Sequence, residues 1–215
     1  MPEIAPPIAP LVQKGALVTF RLPNPIPQII AFQYNPSTLS RSLQAQSAGE
    51  GSGPEALRLA GAPIETIKLE VELDATDELE GGGGASGIHP QLAAFEVLLY
   101  PTSARVIANS VLMAAGSIEV LPPDGPFTVL VWGHRRVLPV TLTEFSVTEE
   151  EYDTRLNPIR AKVALGLRVL TYDDLPVDHA GYHLFMAHQI SKEVMAVGAS
   201  VTTLGSVLGG STRLL

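Results

Sequence analysis

Thr66–Leu73 reads TIKLEVEL and Ile159–Tyr172 reads IRAKVALGLRVLTY, and these two stretches decide the fold. In the first, Ile67, Leu69, Val71 and Leu73 alternate with Thr66, Lys68, Glu70 and Glu72. In the second, Val163, Leu165, Leu167 and Val169 alternate with Lys162, Gly166 and Arg168. A period of two puts apolar groups on one face and charges on the other, as a half-buried antiparallel strand requires. Arg136–Thr148 lies just upstream, so it and Ile159–Tyr172 form a long hairpin across a charged, polar connector, Glu149–Pro158. The chain is therefore expected to be mainly β.

Further out, Ala16–Leu22 and Gln28–Tyr34 read as strands around a turn at Pro23–Pro27, and Ser117–Leu121 and Phe127–Trp132 as two more. Residues 40–62, rich in Ser, Ala and Gly, read as a long loop. Gly81–Gly84 opens a hinge; no Lys-Ser/Thr follows it, so a phosphate cradle does not fit. Pro90 suits the first turn of a short helix with Leu92, Phe95 and Leu99 on one stripe, and Pro101 stops it. Ala104–Ala115 is open between a second helix and irregular packing. From Ala180 the spacing predicts a helix with Tyr182, Met186, Ile190 and Val194 as its stripe. The last 18 residues are Gly/Ser-rich and read as a tail that orders only against a partner. Three regions result: a Pro-rich arm over 1–14, a β domain over 15–175, and a helix with tail over 176–215.

Composition narrows function. The chain has 215 residues, 46% of them apolar, enough for a real core. Without cysteine it has no disulfides, thiol catalysis or thiolate metal sites, in keeping with folding in a reducing cytoplasm. A net charge of -8 and the lack of a basic stripe disfavour nucleic acid. The start has no basic n-region before an apolar run, and no stretch is long enough for a membrane span. Charged residues make up only 17%, low for a surface wholly in water. Either partners cover much of that surface, or the chain is simply rich in Ala and Gly.

Catalytic constellations do not emerge. His179 and His183 share a helix face beside Asp178, but no third ligand joins them, and a solvated helix start capped by Asp178 explains them. The runs Glu149-Glu150-Glu151 with Asp153, and Asp173-Asp174, sit at strand ends where solvation is the default. No GxSxG elbow is present. Trp132 fits either core packing or a subunit contact. His134-Arg135-Arg136 reads as a turn cluster paired with a neighbour's acids. The expectation is a protein without enzymatic activity, metal or cofactor.

Four segments taken together resemble a known family: FQYNPSTLSRS (Phe32–Ser42), ETIKLEVELDATDELE (Glu65–Glu80), GIHPQLAAFEVLLYP (Gly87–Pro101) and Val129–Leu175, which includes LNPIRA. Over about residues 15–175, and in the same order, they resemble the tube/baseplate adaptor proteins of contractile injection systems. These phage-tail-like particles include the antifeeding prophages and Photorhabdus virulence cassettes, whose relatives carry a LysM module. The resemblance implies a tail-tube-type β-barrel or sandwich of long hairpins with one packed helix. Six copies would form a ring between the spike or hub and the inner tube, touching other baseplate subunits, assembled in the bacterial cytoplasm and resident in the particle. It also implies that Asn35-Pro36 and Asn157-Pro158 set turns that hold hairpins against adjacent subunits, although they could equally shape only their own loops. Residues 176–215 are too short and wrongly patterned for LysM, so glycan binding is not carried over. A carbohydrate- or cell-wall-binding β-sandwich is the alternative, set against an aromatic content of only 6%.

Overall fold

The computed structural model describes residues 13–21, 24–46, 58–76, 86–116 and 125–207. The bulk of the Pro-rich arm, the Gly81–Gly84 loop, the expected strand Ser117–Leu121 and the last eight residues lie outside the described residues. Among those described are seven strands: β1 Ala16–Arg21, β2 Asn24–Ala31, β3 Leu39–Gln44, β4 Ile64–Asp74, β5 Phe127–Val131, β6 Val137–Tyr152 and β7 Pro158–Val169. Three helices accompany them: α1 His89–Glu96, α2 Ser103–Ala114 and α3 Ala180–Val207. The strands form one antiparallel sheet in the order β2-β1-β5-β6-β7-β4-β3. The fold is mainly β, as the alternation predicts.

β7 is the spine of this sheet. Leu167 pairs with Ile67 on one side and Leu142 on the other, and Val163 with Val71 and Val147. Pairing in this register puts every apolar residue of the alternation on one face. Ile67, Val71, Val163, Leu165 and Leu167 are all at most 2% exposed. On the opposite face Lys68 and Glu144 pair across Gly166 at 2.9 Å. Gly166 must be bare here, because an added Cβ would stand 2.7 Å from that of Glu144.

The sheet curls instead of splitting into two. Gln33, just past edge strand β2, donates from Nε2 to Asp74 O at 2.6 Å and accepts from Asp74 N at 2.8 Å. One edge is thus tied by a side chain to the end of β4, next to the other edge. All seven described strands belong to this one hydrogen-bonded sheet. Its hollow is filled by α1, whose Phe95 stacks on Phe32 and on Phe145, each at 6.5 Å. α1 stops at Glu96, so Leu98 is buried and Leu99 faces outward, correcting the predicted Leu92–Phe95–Leu99 stripe.

Other boundaries moved for physical reasons. Asn24–Pro27, read as a turn, belongs to edge strand β2. The Phe32 N–H donates to Gly15 O, so by alternation Pro27 falls on the outward row, where no N–H is needed. Leu39–Gln44, read as the start of the 40–62 loop, is edge strand β3 with Leu39 against the core. Its Ser and Arg residues hide it from propensity, and pairing with β4 supplies what the sequence lacks. The long hairpin runs further than predicted, leaving only residues 153–157 as connector. Ala104–Ala115 resolves as helix α2, which buries no side chain. α3 starts at Ala180 as predicted and continues through Gly198 and Gly205 to Val207, so the first part of the expected tail is helical. Half of its stripe is as expected, since Met186 packs against the core, and half is not. Phe185 is 5% exposed and packs edge-on against Tyr172, whereas Ile190 and Val194 face solvent.

Leu165→Ala should lower unfolding free energy by about 2–5 kcal/mol through lost burial and the cavity left behind. Glu70→Ala, on the exposed face of β4, should change it by about 0.5 kcal/mol or less. Urea unfolding followed by circular dichroism measures both.

Candidate functional site

Asn35 is a clamp on its own chain. Its Oδ1 accepts from Gly15 N and its Nδ2 donates to Gln13 O, both at 2.8 Å, and half-buried Pro36 continues that corner. The second Asn-Pro shapes the hairpin tip. The Asp153 carboxylate accepts from the N–H of Arg155 (2.7 Å), the N–H of Asn157 (2.8 Å) and Asn157 Nδ2 (2.8 Å). Pro158 is buried, and its carbonyl accepts from Ile88 N at 3.0 Å. Gly87 permits that docking, with φ of +55 and no room for a Cβ beside Pro158 O. The Asn157–Pro158 corner therefore couples the long hairpin to α1.

Trp132 is half-buried at the end of β5, its ring 6.3 Å from Phe32, and its N–H closes the turn on Arg136 O at 2.7 Å. Arg135 is exposed, and its carbonyl meets His188 Nδ1 of α3 at 3.2 Å. Arg136 is half-buried. Burial, then the charge of Arg41, hold its guanidinium below its usual range, while Glu65 of the same chain opposes them. Burial and nearby Lys192 likewise lower His188.

Glu65 is the residue that sequence reading missed. It sits on the core-facing row of β4, two positions before Ile67, and is 3% exposed. Arg41 on β3 reaches it with Nε at 2.7 Å and Nη2 at 2.6 Å. A carboxylate on the apolar parity of an alternating strand was the available signal. This pair, Arg136 and His188 together join β3, β4, the β5–β6 turn and α3.

The acidic runs serve the sheet. Glu150 pairs with Lys162 at 3.0 Å, Glu151 with Arg160 at 2.9 Å, and Arg160 also with Asp74 at 2.9 Å. Asp173 accepts from Ala62 N, and Asp174 from Thr171 N. His179 Nδ1 accepts from Gly181 N at 3.0 Å, so His179, in the place expected of Asp178, caps α3. His183 is exposed, and among the described residues no three His, Asp or Glu side chains gather to hold a metal. Nor is any described helix long and apolar enough to cross a membrane.

A cleft of about 510 Å³ opens where the end of β1, the α1–α2 link, the start of β5 and the residue before α3 converge. Phe20 stacks on Phe127 at 6.0 Å, and His179 meets Phe127 edge-on at 4.7 Å. Tyr100, Arg21 and Arg105 complete it. Nearby α2 exposes Val106, Ile107, Val111, Leu112 and Met113, and α3 exposes Ile190, Val194, Met195 and Val197. The prominent features are thus apolar surface and strand edges. No protein-family model matches the chain, and no curated protein matches it.

Arg41→Ala should cost about 3–5 kcal/mol, because Glu65 would remain buried without its partner. Replacing both, Arg41→Met with Glu65→Leu, should recover most of that loss in a double-mutant cycle.

Acid stability tests the loop. Hydrogen bonds from Asn157 hold the Asp153 carboxyl below the usual carboxylate range, and those from Thr76 do the same for Asp74. A lowered native pKa gives stability that is complete above the unfolded value, about 3.9, and lost as pH falls through the native value. The urea midpoint should therefore drop from pH 5 to pH 2.5, with a shallower drop in Asp153→Asn.

Proposed function

We propose that the chain is a structural adaptor or tube-initiator subunit of a contractile injection system. Six copies form a ring between the spike or hub and the inner tube, in contact with other baseplate subunits. The job is geometric, and no catalytic step is assigned to any residue.

The observation that carries this reading is the free side of β6. β5 pairs with it only through Val140, while β7 follows its other side to Tyr152. Among the described residues no strand lies along the free side of Thr141–Tyr152. An open edge of that length is an aggregation liability that a neighbouring copy would cover. TLTEFSVTEEEY contains no Pro or Lys to blunt the edge, in contrast to the proline-bearing β2. Glu144, Glu150 and Glu151 are engaged by Lys68, Lys162 and Arg160 of the same sheet.

Two further features support it. The apolar residues left in water on α2 and on the far half of α3 suit a molecule whose surface is shared with partners. Three of the four segments that carry the family resemblance also fall on structurally coupled parts. FQYNP holds the Gln33 tie and the Asn35 clamp, HPQLA begins the core helix, and LNPIRA forms the tip that receives it.

Expressed alone, the chain should sediment as a concentration-dependent oligomer. Expressed with tube and spike proteins, it should co-purify and appear as a six-fold ring by electron microscopy. A stable monomer at all concentrations that never enters such particles would sink the assignment.

A further inference from the structure

The basic turn His134-Arg135-Arg136 has one member that the fold does not use. His134 is exposed and accepts from Arg135 Nε at 3.3 Å, and Arg135 Nη1 meets Met195 Sδ of α3 at 3.6 Å. Arg136 differs from both. It is half-buried just before β6, yet its guanidinium makes no hydrogen bond or ion pair among the described residues. A guanidinium presents five N–H donors in a fixed fork, and withdrawing them from water without an acceptor is costly. The fork is held in place by its own backbone, since Arg136 O accepts from Trp132 N at 2.7 Å and closes the turn.

The charges around Arg136 do not cancel. Arg41 repels it, and the carboxylate that attracts it, Glu65, is already gripped by Arg41 through Nε and Nη2. On α3, His188 and Lys192 stand one turn apart and share a face. The contact of His188 Nδ1 with Arg135 O turns that face toward the β5–β6 turn. Lys192 is half-buried and has no ion pair among the described residues. Glu193, next to it, accepts from Gln189 of its own helix at 3.2 Å. Arg41, Arg136 and Lys192 thus meet a single carboxylate that is already engaged, a local excess of positive charge in a chain of net charge -8.

We propose that this corner, where the β5–β6 turn meets β3 and α3, docks a carboxylate side chain of a protein partner. Arg136 supplies the fork that grips it, and Arg41 and Lys192 supply flanking charge. A phosphate backbone would be repelled by the acidic surface around the corner. A lone carboxylate matches one guanidinium fork and gains a charge-assisted, bidentate contact where water is partly excluded. The inference rests on the reading that partners cover this chain, and it states what one of them must present.

The test titrates fluorescein-labelled hexaglutamate with the purified full-length chain and follows anisotropy. Saturable binding is expected, without displacement by inorganic phosphate at the same concentration. Arg136→Gln should weaken it at least tenfold, and Arg136→Lys by less, because the charge stays while the fork is lost. If Arg136→Gln proves unfolded by circular dichroism, Lys192→Gln on α3 gives the comparison, with at least a threefold loss expected. No binding by the unaltered chain, full affinity in the folded Gln variants, or displacement of the peptide by phosphate would each overturn the site and leave the ring reading standing. Arg136-dependent binding by a chain that never assembles would support the site and count against the ring alone.

Discussion

β7 has a strand on each side from Arg160 to Arg168, and the rest of the molecule is arranged around that double pairing. From Arg160 to Arg168 each β7 residue faces a partner on β4 and another on β6, so one slip in register would turn its whole apolar row outward and break both pairings. That collective penalty holds the sheet in place more firmly than any single contact. It also divides labour between faces. One face takes Leu and Val into the core, and the other carries lysines and arginines of β7 and β4 between carboxylates of β4 and β6.

Polar groups placed where apolar ones would be easier give the sheet its shape. Gln33 could bond water, yet it ties both hydrogen-bonding groups of Asp74 and curls the sheet around α1. Glu65 could be a leucine by parity, yet it is buried against Arg41 within reach of the charges of Arg136 and His188. Buried pairs of this kind add little net stability but discriminate against wrong arrangements, because breaking them strands a charge. Where β3 and α3 sit relative to the β5–β6 turn is a geometric choice of that sort. The outer surfaces follow: a long hairpin, an aromatic cleft, and an apolar helix that buries no side chain among the described residues.

What was readable in advance followed local period. β1, β4, β5, β6, β7 and the start of α3 carry alternation or helical spacing strong enough to stand without context. β3 carries none, because an edge strand with Ser and Arg is held by β4's backbone and not by its own side chains. The Pro-rich start of β2 reads as a turn because proline is unfit for a paired row, and only tertiary structure supplies an outward row. Glu65 went unread because a lone carboxylate next to an alternating stretch looks like its boundary. Its partner Arg41 is 24 residues away, inside what read as a loop.

By itself the sequence determined the class of fold, the two-faced hairpins, the starts of α1 and α3 and the lack of thiol chemistry. Those properties are set by side chains a few residues apart, through period and local hydrogen bonding. Tertiary structure alone decided that the seven strands join in one sheet, that Phe185 and not Ile190 anchors α3, and which charges are buried. These depend on groups distant in sequence meeting in space, and pairing across 20 to 110 residues leaves no periodic trace in the chain.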